Sequence, residues 1–447
     1  MTATTSQIVS GITGLTDSQA AAVTRSIGHK RTEAVVKHIG TSSGSGMAYN
    51  QTTSLSASDI TTTVKIETEA DFYSVKLALI NRAQNAITGN TAVVGVTETN
   101  AIDTSALMGS PTIGGTSYQA LAGAGTVTGW RSVTWAGAAS VDVAAASAGQ
   151  TFAISDSIAL SSIARTDGGT RPLLMWRTWR GGAAAGNWSF NTHGTASRTA
   201  STPMRNRTFV ASNAFSNAVT TLNTAMSLTT TVQPVFPIVR FTVPVVSVWG
   251  VGDSIMQDAA QAEEGLSAWG YRACMDVSTP TAPVVWANMG ASSQTAAVAW
   301  AAAKALLTAG APAPTVLVVQ PASVNDDASP DVRTREAQLA TAMDVLATAK
   351  QYGIPYVVWA PLMPYNTLNS AQDTIRKGTN TLMQSLAASN GVFWLDFSNL
   401  GDGADPEKWI TAYNDGTGAA GDGIHADTDA FEDVMAPALV SVLRQLV

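Results

Sequence analysis

From about residue 245 onward the chain alternates continuous apolar runs of strand length with longer stretches of helical spacing, and few folds accommodate that alternation. Val245–Val251, Pro283–Ala287, Thr315–Gln320, Tyr356–Ala360 and Val392–Phe397 read as strands. Thr295–Leu307, Thr334–Gln351 and Ala371–Ala388 read as helices, with a last helix near Ala430–Leu446. Strands that are apolar along their whole length are buried on both faces, so this half is predicted to form a parallel sheet covered by helices on each side. In such sheets ligands sit beyond the carboxyl ends of the strands.

Residues able to carry chemistry fall at those ends. Gly252, Asp253 and Ser254 follow the first run and precede a segment that reads as helix. Asn288, Met289 and Gly290 follow the second run, and Ser323, Val324, Asn325 and Asp326 follow the third. Near the C-terminus stand Asp422, Gly423, Ile424 and His425. A serine hydroxyl is a poor nucleophile until a positioned base takes its proton. His425 is the one histidine of the second half, and a nearby carboxylate can fix the tautomer that leaves its other nitrogen free for Ser254. Asp422, Asp427 and Asp429 all compete for that orienting role.

These four blocks, in this order, resemble the signatures of the SGNH, or GDSL-type, hydrolase superfamily over roughly residues 245–447. Ser323 stands where the family's third block usually has glycine. The resemblance implies a flavodoxin-like three-layer α/β fold and a serine esterase working through an acyl-enzyme, without metal or organic cofactor. It favours Asp422 as the third member of a triad with Ser254 and His425. It also implies an oxyanion hole made of the backbone N–H groups of Ser254 and Gly290 and the side-chain amide of Asn325, the donors a tetrahedral intermediate needs. Glycine suits that place because the backbone can approach a substrate closely. Asp253 and Asn288 are expected to brace the site.

The first half has another character. Residues 1–44 open with a segment of helical spacing, Asp17 and Ser18 offering a cap. Residues 45–240 carry short Thr/Ser/Val-rich runs, among them Thr61–Ile66, Val75–Ile80, Ala92–Val96, Ser132–Trp135 and Leu173–Trp176, separated by turn residues. That spacing predicts an accessory domain of β-sandwich or jelly-roll type. Pro234, Pro237 and Pro244 mark either a junction before the 241–447 domain or a strand passing directly into it. Trp176, Trp179 and Trp188, interleaved with Arg177 and Arg180, fit core packing better than a sugar-stacking face, because odd spacing sends neighbours to opposite sides of a strand.

Charge and composition remove other classes. Of 447 residues 13% are charged and 45% hydrophobic, and the net charge is −7 with no long basic block, which argues against a nucleic-acid partner. The lone Cys274 excludes an intramolecular disulfide. No apolar run approaches the ~18 residues of a membrane span, and the first 28 residues lack the pattern of a signal peptide. Localisation stays open; the Ala-, Thr-, Ser- and Gly-rich usage suits an extracellular or virion-associated protein. His29, His38 and His193 lack partners at ligand spacing, so no metal is expected. Gly40–Gly44 fits G-x-S-x-G around Ser42, yet no helix follows it. The expected substrate is a small-molecule ester or acylated polysaccharide, with an O-acetylated carbohydrate preferred because β-rich modules often accompany carbohydrate-acting members of that family. A general short-chain ester or lipid hydrolase is the enzymatic alternative. A surface or viral-tail binding protein on a hydrolase scaffold is the other.

Overall fold

A computed structural model describes residues 29–36, 60–81, 87–98, 112–113, 116–117, 128–144, 151–180, 191–192, 206–212, 227–228, 231–232, 235–257, 269–291, 294–326, 332–364, 368–401, 410, 413 and 424–446. The helix expected near the N-terminus lies outside them.

In chain order the first half supplies β1 (Arg31–Val35), β2 (Ile60–Glu67), β3 (Phe72–Asn81), β4 (Ile87–Thr97), β5 (Thr128–Ser132), β6 (Val141–Val143), β7 (Thr151–Ile154), β8 (Ile158–Ala159), β9 (Leu173–Arg180), β10 (Asn206–Ser212) and β11 (Ser227–Leu228). The run expected at Ser132–Trp135 leaves its strand at Ser132, and Trp135 instead closes an isolated bridge with Ala138. Then comes β12 (Val235–Val251), 17 residues in one piece.

β12 joins the two halves. Its first part is antiparallel to β3, with Phe236 opposite Ala78 and Val239 opposite Val75, and antiparallel to β1, with Ala34 opposite Val239. Its last part is parallel to β13 (Val284–Asn288) and β14 (Val316–Val319). The changeover falls at Thr242–Pro244, where Thr242 and Pro244 are exposed, so a proline without an N–H is tolerated there. Of the two readings of the prolines, a passing strand is the one the structure adopts.

β15 (Tyr356–Trp359) and β16 (Phe393–Trp394) complete the parallel order β13-β12-β14-β15-β16. The helices are α1 (Ser254–Gln257), α2 (Trp269–Val277), α3 (Ala296–Thr308), α4 (Val332–Tyr352), α5 (Ser370–Ser389) and α6 (Ala436–Leu443). α2 packs on α6, and α3 packs on α4. Asn369 and Gln372 form a reciprocal cap at the start of α5, satisfying donors that a helix start otherwise leaves open. A single helix was expected from Ala430; instead a short α-turn, Thr428–Ala430, and a π-helical turn, Phe431–Met435, lead into α6.

One apolar core spans both halves. Val35, Ala78, Ile80, Phe236 and Ile238 belong to the same buried cluster as Val246, Val248, Trp249 and Trp286. A second antiparallel sheet, β11-β10-β2-β9-β4-β5 with β6 beside β4, contributes Ile66, Val94, Leu174 and Trp176 to another cluster, shared with Val75, Leu77 and Val239. Trp176 is therefore core. Arg177 is buried too, its guanidinium 4.5 Å from the Trp130 ring centre, and burial lowers its pKa to about 10. Trp179 is half-buried, while Trp188 and the Arg180 side chain fall outside the described residues.

Candidate active site

β12 ends at Val251, and the chain turns through Gly252 and Asp253 into α1, which Ser254 opens. The Asp253 side chain accepts the Ile255 N–H at 2.9 Å and its carbonyl accepts the Gln257 N–H at 3.0 Å. Gly252 cannot be replaced without movement, because a Cβ there would lie 2.0 Å from Gln320 Oε1, the atom that accepts the Asp253 N–H at 3.2 Å. The Trp269 indole donates to the Ile255 carbonyl at 3.2 Å and pins α1 to α2.

His425 Nε2 lies 2.9 Å from Ser254 Oγ, across 171 residues of chain. With its proton on Nδ1 the imidazole accepts the serine hydroxyl in this contact. Asp422 and Gly423 lie outside the described residues. Asp427, a competitor for the acid role, is buried; its Oδ1 accepts the Ala430 N–H at 2.9 Å and its N–H donates to the Tyr413 carbonyl at 3.1 Å. It thus caps the turn leading to α6. Asp429 is exposed.

Gly290 packs where only glycine fits, since its Cβ would sit 2.3 Å from the Gln257 nitrogen and 2.6 Å from the Gln257 Cα. The close approach is to the backbone of α1, a different need from the approach to substrate that the sequence suggests. Its N–H donates to Asn288 Oδ1 at 3.0 Å, and Asn288 Nδ2 reaches the Gln257 carbonyl at 3.4 Å. Asn288 thereby ties the end of β13 to the helix that carries Ser254.

The third loop is held by Ser323, where the resembled pattern has glycine. Ser323, fully buried, donates from Oγ to Asp253 Oδ2 at 2.8 Å and accepts the Asn325 N–H at 3.0 Å. Val324 N–H adds a second donor to Asp253 Oδ2 at 3.2 Å. Asn325 Nδ2 donates to the Gln294 carbonyl at 3.0 Å and lies 3.3 Å from Ser323 Oγ. Burial pushes the Asp253 carboxyl up, opposed by the Ile255, Ser323 and Val324 donors and by His425. Asp326 Oδ2 accepts the Ser323 N–H at 2.9 Å and, at the start of α3, the Ala296 N–H at 3.3 Å; burial raises its pKa as well.

Gln320, Gln294 and Gln257 were not singled out from sequence. Gln320 had a signal, a polar residue closing the apolar run Val316–Val319 at a carboxyl end. The other two act through backbone atoms, which leave no trace in side-chain identity.

Among the described residues no group of three His, Cys, Asp or Glu side chains could hold a metal ion, and no helix is long and apolar enough to cross a membrane. His29 packs edge-on against Tyr356, ring centres 5.3 Å apart. Ser42, His38 and His193 lie outside the described residues.

No protein-family model matches the chain, and no curated protein matches it. Solved structures similar to it include a member of the lipolytic G-D-S-L family from Veillonella parvula, with 14% identity, 44% of this chain and 98% of that one covered, and a TM-score of 0.35. An acetylxylan esterase from Geobacillus stearothermophilus is similar at 15% identity, covering 45% of this chain and 93% of that one, TM-score 0.33. A family two carbohydrate esterase from Clostridium thermocellum, solved with cellohexaose, is similar at 10% identity over 92% of this chain and 98% of that one, TM-score 0.35.

Proposed function

We propose that the chain is a serine ester hydrolase of SGNH type. The observation that carries this reading is the 2.9 Å contact between His425 Nε2 and Ser254 Oγ, at the carboxyl edge of a parallel sheet where ligands of such sheets bind. His425 takes the proton as Ser254 attacks the ester carbonyl, then returns it to the leaving alcohol. The resulting acyl-enzyme is released by water through the same base. Asp422 is assigned to orient the imidazole. The backbone N–H groups of Ser254 and Gly290 and the Asn325 amide are assigned to the oxyanion, the Gly290 N–H by exchanging its 3.0 Å bond to Asn288 Oδ1 for the substrate, with Asp253 and Asn288 holding the loops. Of the two Asn325 Nδ2 contacts, the one to Ser323 Oγ is the longer, and it is the one an oxyanion would compete for.

In this reading the first half is a β-sandwich-like accessory part sharing β12 with the hydrolase half. The substrate is an O-acylated carbohydrate, since the sheet edge that carries Ser254 also carries a polar cavity flanked by an indole ring.

Turnover of p-nitrophenyl acetate that vanishes in Ser254→Ala, with a fluorophosphonate adduct mapped to Ser254, is the expected result. Equal activity in the variant, or an adduct on Ser42, overturns the reading. EDTA should leave the rate unchanged.

A further inference from the structure

A cavity of about 740 Å³ opens past the carboxyl ends of β15 and β16, between the segment starting at Pro361, one side of α5 and the segment Trp394–Ser398. Strands lie about 4.8 Å apart, and β14 and β15 separate β12 from β16. The two strand ends beneath the cavity therefore stand about 10 and 14 Å along the sheet edge from the end that carries Ser254. An acetyl group on Ser254 does not span that distance, whereas an oligosaccharide does.

The lining selects a chemical class. Lys377 and Gln384, two turns apart on α5, face a half-buried Trp394 and an exposed Asp396. Asn380 helps fix the wall, accepting the Leu362 N–H and donating to the Leu362 carbonyl, each at 2.9 Å. Lys377 and the buried Arg376 share the single carboxylate of Asp373, which leaves one net positive charge for Asp396 to oppose. The Ser398 hydroxyl and, at 2.9 Å, the Ser398 N–H both donate to the Asp396 carboxylate and hold its pKa below the usual range. With Asp396 the four charged side chains sum to zero, so the cavity offers an anionic ligand no net attraction, and a rim of amide, ammonium and carboxylate disfavours a fatty chain. An indole face with hydrogen-bonding groups around it suits a neutral ring with an apolar face and hydroxyls at its edge.

We propose that this cavity is a saccharide subsite for the part of the substrate remote from the ester, an assignment that rests on the ester-hydrolase reading of Ser254. Trp394 stacks on the sugar face, while Asp396 and Gln384 hold its hydroxyls.

The test uses the full chain with p-nitrophenyl acetate and with chemically O-acetylated glucose, cellobiose and cellotetraose. The wild-type kcat/KM should rise with chain length, about two- to tenfold as expected for one aromatic contact. Gln384→Ala and Trp394→Ala should flatten that rise while keeping wild-type turnover of p-nitrophenyl acetate. If Trp394→Ala loses p-nitrophenyl acetate turnover through misfolding, the exposed helix variant Gln384→Ala decides alone. A rise that survives in the variants, no rise in the wild type, or no turnover of any acetylated sugar overturns the subsite. No wild-type turnover of p-nitrophenyl acetate overturns the ester-hydrolase reading instead.

Discussion

Ser323 Oγ donates to Asp253 Oδ2 at 2.8 Å, and this one hydroxyl links the turn that presents Ser254 to the loop that carries Asn325. It also accepts the Asn325 N–H at 3.0 Å. Ser323→Ala should remove a hydrogen bond to a buried carboxylate and cost about 1.5–3 kcal/mol. It should also lower kcat with KM for a small ester unchanged, because the loop is displaced while substrate access is not. Ser323→Gly, which restores the residue usual in the resembled family, should behave no better, since the hydroxyl rather than the space matters. Thermal melts with parallel kinetics check this; a glycine variant with wild-type kcat would remove Ser323 from the network.

Gly290→Ala places a methyl 2.3 Å from the Gln257 nitrogen, a backbone atom that cannot swing aside. The expected cost is that of overpacking, about 1–3 kcal/mol, with kcat reduced because α1 moves with Ser254. Wild-type activity and stability in this variant would show that α1 tolerates displacement.

The raised pKa of buried Asp253 has a definite sign in stability. A carboxyl that binds its proton more tightly when folded stabilises most at low pH. That contribution is lost as pH rises from the ordinary carboxylate value, ~3.9, through the raised folded value. Asp373 runs the other way: despite the opposing effect of burial, Lys377 and Arg376 hold it below the usual range, so its contribution is lost as pH falls. Urea unfolding of wild type and Asp253→Asn at a series of pH values isolates the first term. The wild type should lose stability relative to the variant as pH rises, and a gain would reverse the assignment.

Much of the parallel half was legible in the sequence because strands buried on both faces are continuous apolar runs; Ser254, Gly290 and Asn325 fall at the ends of those runs, but the roles proposed for Gly290 and Asn325 came from the family resemblance and not from position. The full extent of β12 was not settled, since Pro237 and Pro244 are signals of a break. The strand persists because its neighbours change at Thr242–Pro244, where no ladder donor is missed. α2 was not foreseen; Gly270 and Arg272 interrupt its apolar pattern. The role of Ser323 was hidden for another reason: its partner Asp253, 70 residues away, is set by three-dimensional folding, not by local spacing.

The shared strand bears on how the halves fold. A chain beginning at Phe241 loses Val235–Arg240, together with β1 and β3, which pair with that segment. It also loses Val35, Ala78, Ile80, Phe236 and Ile238 from the core that contains Trp249 and Trp286. The Arg31 side chain on the Gly353 carbonyl, Thr315 Oγ1 on the His29 carbonyl and Arg171 on the Tyr271 hydroxyl go as well. Such a chain should be insoluble or lack near-UV circular dichroism, because the removed segments bury apolar surface at ~25 cal/mol per Å². A soluble, cooperatively melting and active 241–447 fragment would show that the hydrolase half is independent.

Asn325 separates oxyanion stabilisation from loop support. Its amide has protein acceptors for both hydrogens, Gln294 O at 3.0 Å and Ser323 Oγ at 3.3 Å. Donation to an oxyanion therefore exchanges the longer contact for a stronger one as charge develops on the substrate. Asn325→Ala should lower kcat by about 10²–10³ and leave KM for p-nitrophenyl acetate little changed. Losing the Gln294 contact should cost a further ~1 kcal/mol of stability. Asn325→Asp should do no better in kcat, because a carboxylate offers no donor. Ser254 should still react with a fluorophosphonate in both variants, more slowly than in the wild type. If kcat is unchanged while the melting temperature falls, Asn325 braces the loop only, and the oxyanion rests on the Ser254 and Gly290 backbone alone.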